Sequence, residues 1–151
     1  MKRLLLAGLC LTALFSTPVF GADSGARALD NAFVKGVTAG DIEAVVALYA
    51  ADATLYPPGE MAAKGRDAIR AVWGGFLSAN KVTECRLSET GYRTIGDTSI
   101  GWGRFSMTFQ PKAGGAPATL EGRFSDVAVK KAGKWLYILD HASAPLPPPP
   151  K

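Results

Sequence analysis

At Lys81 the recurrence of apolar residues changes from a period of about 3.6 to one of about 2, which divides the chain into a helical half and a sheet half. Before that point Leu29, Ala32, Phe33 and Val37 recur at helical spacing within residues 24–39, and Gly40 is a natural stop. Asp41 is placed to cap a second helix with the apolar face Ile42, Val45, Val46 and Tyr49. Residues 53–56 predict a short strand, ended by Pro57-Pro58-Gly59 because consecutive prolines cannot donate to a ladder. Ile69, Val72, Trp73, Phe76 and Leu77 predict a third helix, which Gly74-Gly75 weakens. After Lys81 four long strands fit, at 82–92, 98–110, 117–130 and 134–143, joined by the turn sequences Gly96-Asp97, Ala113-Gly114-Gly115 and Ala132-Gly133. Links this short make neighbouring strands antiparallel. The predicted class is α+β, a curved antiparallel sheet covered by three N-terminal helices.

The last strand sets a further condition. Trp135, Tyr137 and Leu139 lie on one face under strict alternation, and Leu136, Ile138 and Ala142 on the other. Both faces are then apolar, so each needs a cover. Three helices supply one, and a second copy of the chain is the economical source of the other. A homodimer packed sheet to sheet is expected.

Residues 1–21 have the layout of a secretory signal. Lys2 and Arg3 precede an apolar run from Leu4 to Phe15, and Thr17-Pro18 precedes a cleavage site after Gly21. The run is too short to span a bilayer as a helix. The expected product is periplasmic or secreted, exported by a bacterial Sec-type signal, with no membrane attachment after cleavage. Loss of Lys2 and Arg3 lowers the formal charge of +4 to about +2. The remaining charges are scattered, so the basic stripe of a nucleic-acid binder is missing and no nucleic-acid partner is expected. Cys10 leaves with the signal, and Cys85 then stands as a lone thiol, read as a small buried hydrophobe. One His and two Cys cannot supply a classical zinc site. No metal and no cofactor are expected. The intended division is signal 1–21, a folded domain over 22–144, and a proline-rich tail over 145–151 that reads as an extended end.

The phrase Ala39-Gly40-Asp41-Ile42-Glu43-Ala44-Val45-Val46-Ala47-Leu48-Tyr49-Ala50-Ala51-Asp52-Ala53-Thr54 narrows the fold. With Lys64-Gly65-Arg66-Asp67-Ala68-Ile69-Arg70, Gly133-Lys134-Trp135 and Asp140-His141, it resembles the ketosteroid-isomerase-like and SnoaL-like families of the nuclear transport factor 2-like superfamily. The resemblance covers nearly all of residues 24–143. It implies a cone whose helices and bent sheet enclose a deep apolar cavity. It does not fix an activity, because one scaffold hosts many functions. The steroid isomerases place an aspartate base ahead of a proline after the short strand, and here that position is Pro57. Their oxyanion hole uses a tyrosine of the first helix and a protonated aspartic acid of the third long strand. The matching positions are Phe33 and Ser125, or Asp126 with a shift of one residue. A steroid isomerase mechanism of that type is disfavoured.

The family register instead implies a pocket facing Leu136, Ile138, Asp140 and Ala142 on the last strand, with Ile100, Trp102, Arg104 and Ser106 on the second long strand. Ser125 and Val127 would face it from the third, while Trp73, Tyr49 and Tyr56 close the helical side. Such aromatic walls with few polar groups suit a small apolar or aromatic ligand. Asp140 is the candidate acid or base, and Arg104 the candidate holder of an anionic oxygen; a structural ion pair between them is the plainer reading. His141 should face away from Asp140, unless the register slips by one residue. Three functions follow: a small-molecule-binding homodimer, a cofactor-independent isomerase, cyclase or lyase using Asp140, or a structural or partner-binding dimer with no open pocket.

Overall fold

In a computed structural model residues 25–145 are described. The expected export signal, Cys10 and all of the proline-rich tail beyond Pro145 lie outside them. Helix α1 (Ala26–Ala39) ends where Gly40 adopts a left-handed conformation and returns its N–H to the helix. Asp41 then caps α2 (Ile42–Val46), its Oδ1 accepting from the Ala44 N–H at 2.9 Å. This helix stops sooner than its apolar spacing predicts, because Tyr49 already begins β1 (Tyr49–Tyr56). The chain there is claimed by the sheet: the Tyr137 N–H donates to the Leu48 carbonyl at 2.9 Å. A two-residue strand, β2 (Ala63–Lys64), was not anticipated and folds back on β1. Helix α3 (Arg66–Ala79) tolerates Gly74 and Gly75 and runs directly into β3 (Asn80–Ile95).

The remaining strands are β4 (Thr98–Pro111), β5 (Ala118–Lys131) and β6 (Lys134–Ser143). The four long strands match the predicted set, and the architecture is α+β with a curved, unclosed sheet of six strands in the order β2-β1-β6-β5-β4-β3. Every pairing is antiparallel except β1 with β6. Among the described residues no helix is long and apolar enough to cross a membrane.

One irregularity decides what the sheet presents to the helices. On β5 Val127 pairs with Leu139 and Ala128 with Tyr137, so Ile138 is an extra residue in β6. Such a bulge resets alternation. Tyr137 and Asp140, three residues apart, therefore both point to the helical side. The core lies there, with Leu29 and Val37 of α1, Val45 of α2, Ile69 of α3, and Tyr49 and Leu55 of β1 all buried. The N-terminus of α1 is fixed to the sheet where the Ala26 N–H donates to Ser99 Oγ at 3.0 Å.

Candidate functional site

Between the helices and the concave face of the sheet lies a cavity of about 640 Å³, within the range of small-molecule sites. Phe33 of α1 and Trp73 and Phe76 of α3 form its helical wall. Phe33 meets Trp73 edge-on at 5.0 Å between ring centres, and Trp73 meets Phe76 likewise at 6.3 Å. Phe105 and Met107 of β4 with Leu120 and Phe124 of β5 form the sheet wall. Pro57 and Pro58 border it as well, so two positions where the steroid isomerases carry polar groups, Pro57 and Phe33, face the cavity with nothing to titrate.

Besides the exposed Glu60, three carboxyls border this apolar space. Asp30 stands on the buried face of α1, one turn from Ala26 and Phe33, and is 4% exposed. Its Oδ1 accepts from the Tyr137 hydroxyl at 2.6 Å and its Oδ2 from the Tyr92 hydroxyl at 2.9 Å. Burial raises its pKa, and those two hydrogen bonds oppose the rise. Asp140 Oδ2 accepts from the Tyr49 hydroxyl at 2.5 Å, which in turn accepts from Trp73 Nε1 at 3.3 Å. Arg66 pins Tyr49 from behind, donating to its carbonyl at 2.6 and 3.2 Å. Burial pushes Asp140 up to about 6 against the pull of that tyrosine, and the charge of Asp30 adds to the rise.

Asp126 differs from both. It is 1% exposed and stands directly across the β5–β6 ladder from Asp140. Neither of its oxygens has a hydrogen-bond partner of normal geometry, although Asp30 and the Gly101 amide are near enough to act on its charge. Burial, then the charges of Asp30 and Asp140, push it up to about 8. Near neutral pH Asp140 is thus ionised while Asp126 keeps its proton. Burial raises both, and the charges of Asp30 and Asp140 carry Asp126 further. Gly101 makes room for the Asp126 carboxyl: a methyl group there would lie 2.6 Å from Oδ2.

Phe33, Trp73 and Asp140, all expected in the pocket, border the cavity. Tyr49 lies behind the wall and reaches the site through its hydroxyl. Tyr56, Trp102, Arg104, Ser125, Val127 and Ile138 do not border it. Tyr56 fails because Leu55 takes the inward position on β1, leaving Tyr56 outside and edge-on to His141 at 6.1 Å. Trp102 and Arg104 fail because the inward residues of β4 are odd-numbered, and Ser125 and Val127 because those of β5 are even-numbered. Ile138 is displaced by the bulge. The Arg104–Asp140 pair is therefore not formed: Arg104 is half-exposed and its nearest acidic partner is Glu89 at 3.9 Å. His141 is exposed, opposite in direction to Asp140 as expected. Cys85 is buried at the cavity edge, and burial pushes its thiol up to about 11, so it carries no thiolate.

Asp30, Tyr92 and Tyr137 were not anticipated as site residues. The signal for Asp30 was present, an acid on the same helical stripe as Ala26, Phe33 and Val37. Among the described residues no group of three or more His, Cys, Asp or Glu side chains is arranged to hold a metal ion.

Comparison with known proteins adds to this geometry. The model of the SnoaL-like domain matches residues 31–138. No curated protein sequence matches the chain. Among solved structures, one from Xanthomonas campestris, provisionally assigned as a calcium/calmodulin-dependent protein kinase II association domain, is 28% identical with a TM-score of 0.72, covering 82% of this chain and 90% of its own. A ketosteroid isomerase-like protein from Erwinia carotovora atroseptica is 24% identical with a TM-score of 0.68, covering 80% and 94%. A nuclear transport factor 2-like superfamily protein from Salmonella enterica is 16% identical with a TM-score of 0.71, covering 80% and 88%.

Proposed function

The chain belongs to the SnoaL-like domain family, and from that premise we propose that it binds a small, mainly apolar molecule in the cavity between helices and sheet. One observation carries this reading: the buried carboxyl of Asp126 borders an aromatic cavity of about 640 Å³ and has no hydrogen-bond partner of normal geometry in the protein. A purely structural interior would satisfy or omit such a group, since an unpaired buried polar atom is destabilising. Native mass spectrometry of freshly purified protein should show a co-purified small molecule. Ala142→Trp, which fills the cavity from β6, should abolish that mass increment. A wild-type protein that carries nothing, and whose amide shifts around Phe33 and Phe124 stay fixed across an apolar fragment library, would remove the reading.

A second reading, a cofactor-independent isomerase, cyclase or lyase, is favoured by the split between Asp140 at about 6 and Asp126 at about 8. Paired groups separated in this way suit one base and one acid. Asp140 as carboxylate would take a proton from carbon beside a carbonyl while Asp126 gives one to the carbonyl oxygen; Asp140 would then return its proton to another carbon as the enol oxygen gives its proton back to Asp126, which completes an isomerisation. Arg104 has no part in it. Once a ligand is identified, its fate separates the readings: a binder releases it chemically unchanged, whereas a catalyst converts it and loses that turnover by about 10²-fold or more in Asp140→Asn.

Two further parts belong to the same proposal. Removal of residues 1–21 would deliver the mature chain to the periplasm or the medium, and an exported protein whose intact mass still includes Met1 to Gly21 would contradict this. The outer face of the sheet would join two copies into a homodimer, for which Trp102 and Ile100, 45% and 37% exposed, are the support.

A further inference from the structure

The cavity carries acid and no base. Asp30, Glu60, Asp126 and Asp140 border it, whereas no Lys, Arg or His is among the described residues that do so. Asp126 is approached by Asp30 from α1, by Asp140 from β6 and by the backbone of Gly101 from β4. Asp30 is held by the hydroxyls of Tyr92 and Tyr137, and Asp140 by that of Tyr49. Every one of these neighbours is acidic or neutral. Two opposed carboxylates in an apolar space need positive charge between them, and in the protein alone a proton on Asp126 supplies it. The surrounding rings of Phe33, Trp73, Phe76, Phe105 and Phe124 offer a surface that attracts cations as well as apolar bodies.

We propose that the cavity selects an apolar molecule bearing a single amine, whose ammonium group sits between Asp126 and Asp140. The inference rests on the small-molecule reading above and narrows its ligand to one charge class. The exchange balances in charge: the ammonium enters protonated, the Asp126 carboxyl releases its proton to solvent, and no covalent bond changes. An anionic ligand of the same shape would add a further negative group to the site and is excluded.

Three naphthalene probes of matched size test the charge class on the whole mature protein by calorimetry near neutral pH: 2-(1-naphthyl)ethylamine, 2-(1-naphthyl)ethanol and 1-naphthylacetate. The amine should bind about tenfold or more tightly than the alcohol, and the carboxylate should give no measurable heat. Repeating the amine titration in buffers of different ionisation enthalpy should reveal proton release, and the alcohol should release none. Asp126→Asn should weaken the amine by about tenfold and abolish its proton release. An alcohol that binds as well as the amine would overturn the assignment while leaving a small-molecule cavity in place. Silence from all three probes overturns it too, and the co-purified mass then decides the cavity reading by itself. The proton count on the unmodified protein settles the matter even where Asp126→Asn fails to fold.

Discussion

Asp126 has an ordinary carboxyl pKa of 3.8 when the chain is unfolded and about 8 when folded. Between those values the folded state holds a proton that the unfolded state has given up, so folding loses stability as pH rises through the window. The effect is fully present below the unfolded value and is exhausted above about 8. Asp140 acts with the same sign but is spent by about 6. The midpoint of thermal unfolding should therefore fall between pH 6 and 8, and Asp126→Asn should flatten that segment. At one pKa unit per about 1.4 kcal/mol, the difference between wild type and variant should grow by a few kcal/mol across the window. A wild-type profile that is flat from 6 to 8 would show that Asp126 ionises freely. At this scale the sequence was partly legible. Asp140, Phe33 and Trp73 emerged from family register alone. Ser125 displaced Asp126 because that register was one residue out, and Asp30 was not singled out although its stripe was apolar.

Elements were read more securely than the directions their side chains take. The four long strands follow from their turns, but the family register turned Ile100 and Trp102 of β4 inward, and both are large residues that face outward. The better signal lay further along, where Phe105, Met107 and Phe109 alternate with Arg104, Ser106, Thr108 and Gln110. β5 repeats it, with Leu120 and Phe124 inward against Glu121 and Arg123. The bulge at Ile138 had no comparable mark, since every residue from Trp135 to Leu139 is apolar and alternation cannot be phased there. The contact between β4 and β5 at Gly101 and Asp126 can be tested as a pair. Gly101→Ala should destabilise by about 1–3 kcal/mol through overpacking, because its methyl would press on the carboxyl. In an Asp126→Ala background the same change should cost less than about half as much. Equal costs in denaturant unfolding would mean that the carboxyl does not occupy that space.

Among the described residues of the molecule nothing covers the outer face of the sheet. Its cross-strand rows can be followed through the register: Ile100 beside Val127 and Leu139, then Trp102 beside Ser125, His141 and Tyr56. These rows are mainly apolar, whereas the next, with Arg104 and Arg123, is charged and exposed. Trp102 rests on Gly91, where any side chain would collide with its ring, so the indole is held out from the sheet in a fixed place. An apolar centre with a charged margin is the surface a two-fold partner covers. The proposed dimer should therefore give twice the mass of one chain by light scattering at micromolar concentration. Trp102→Glu should shift it to the monomer, because two-fold symmetry brings both new carboxylates into one interface. The cavity lies on the other face of the sheet, so the monomeric variant should keep its small-molecule binding and the fall in thermal stability between pH 6 and 8. A wild type that already runs as a monomer, with Trp102→Glu indistinguishable from it, would leave this face open to solvent and end the case for a dimer.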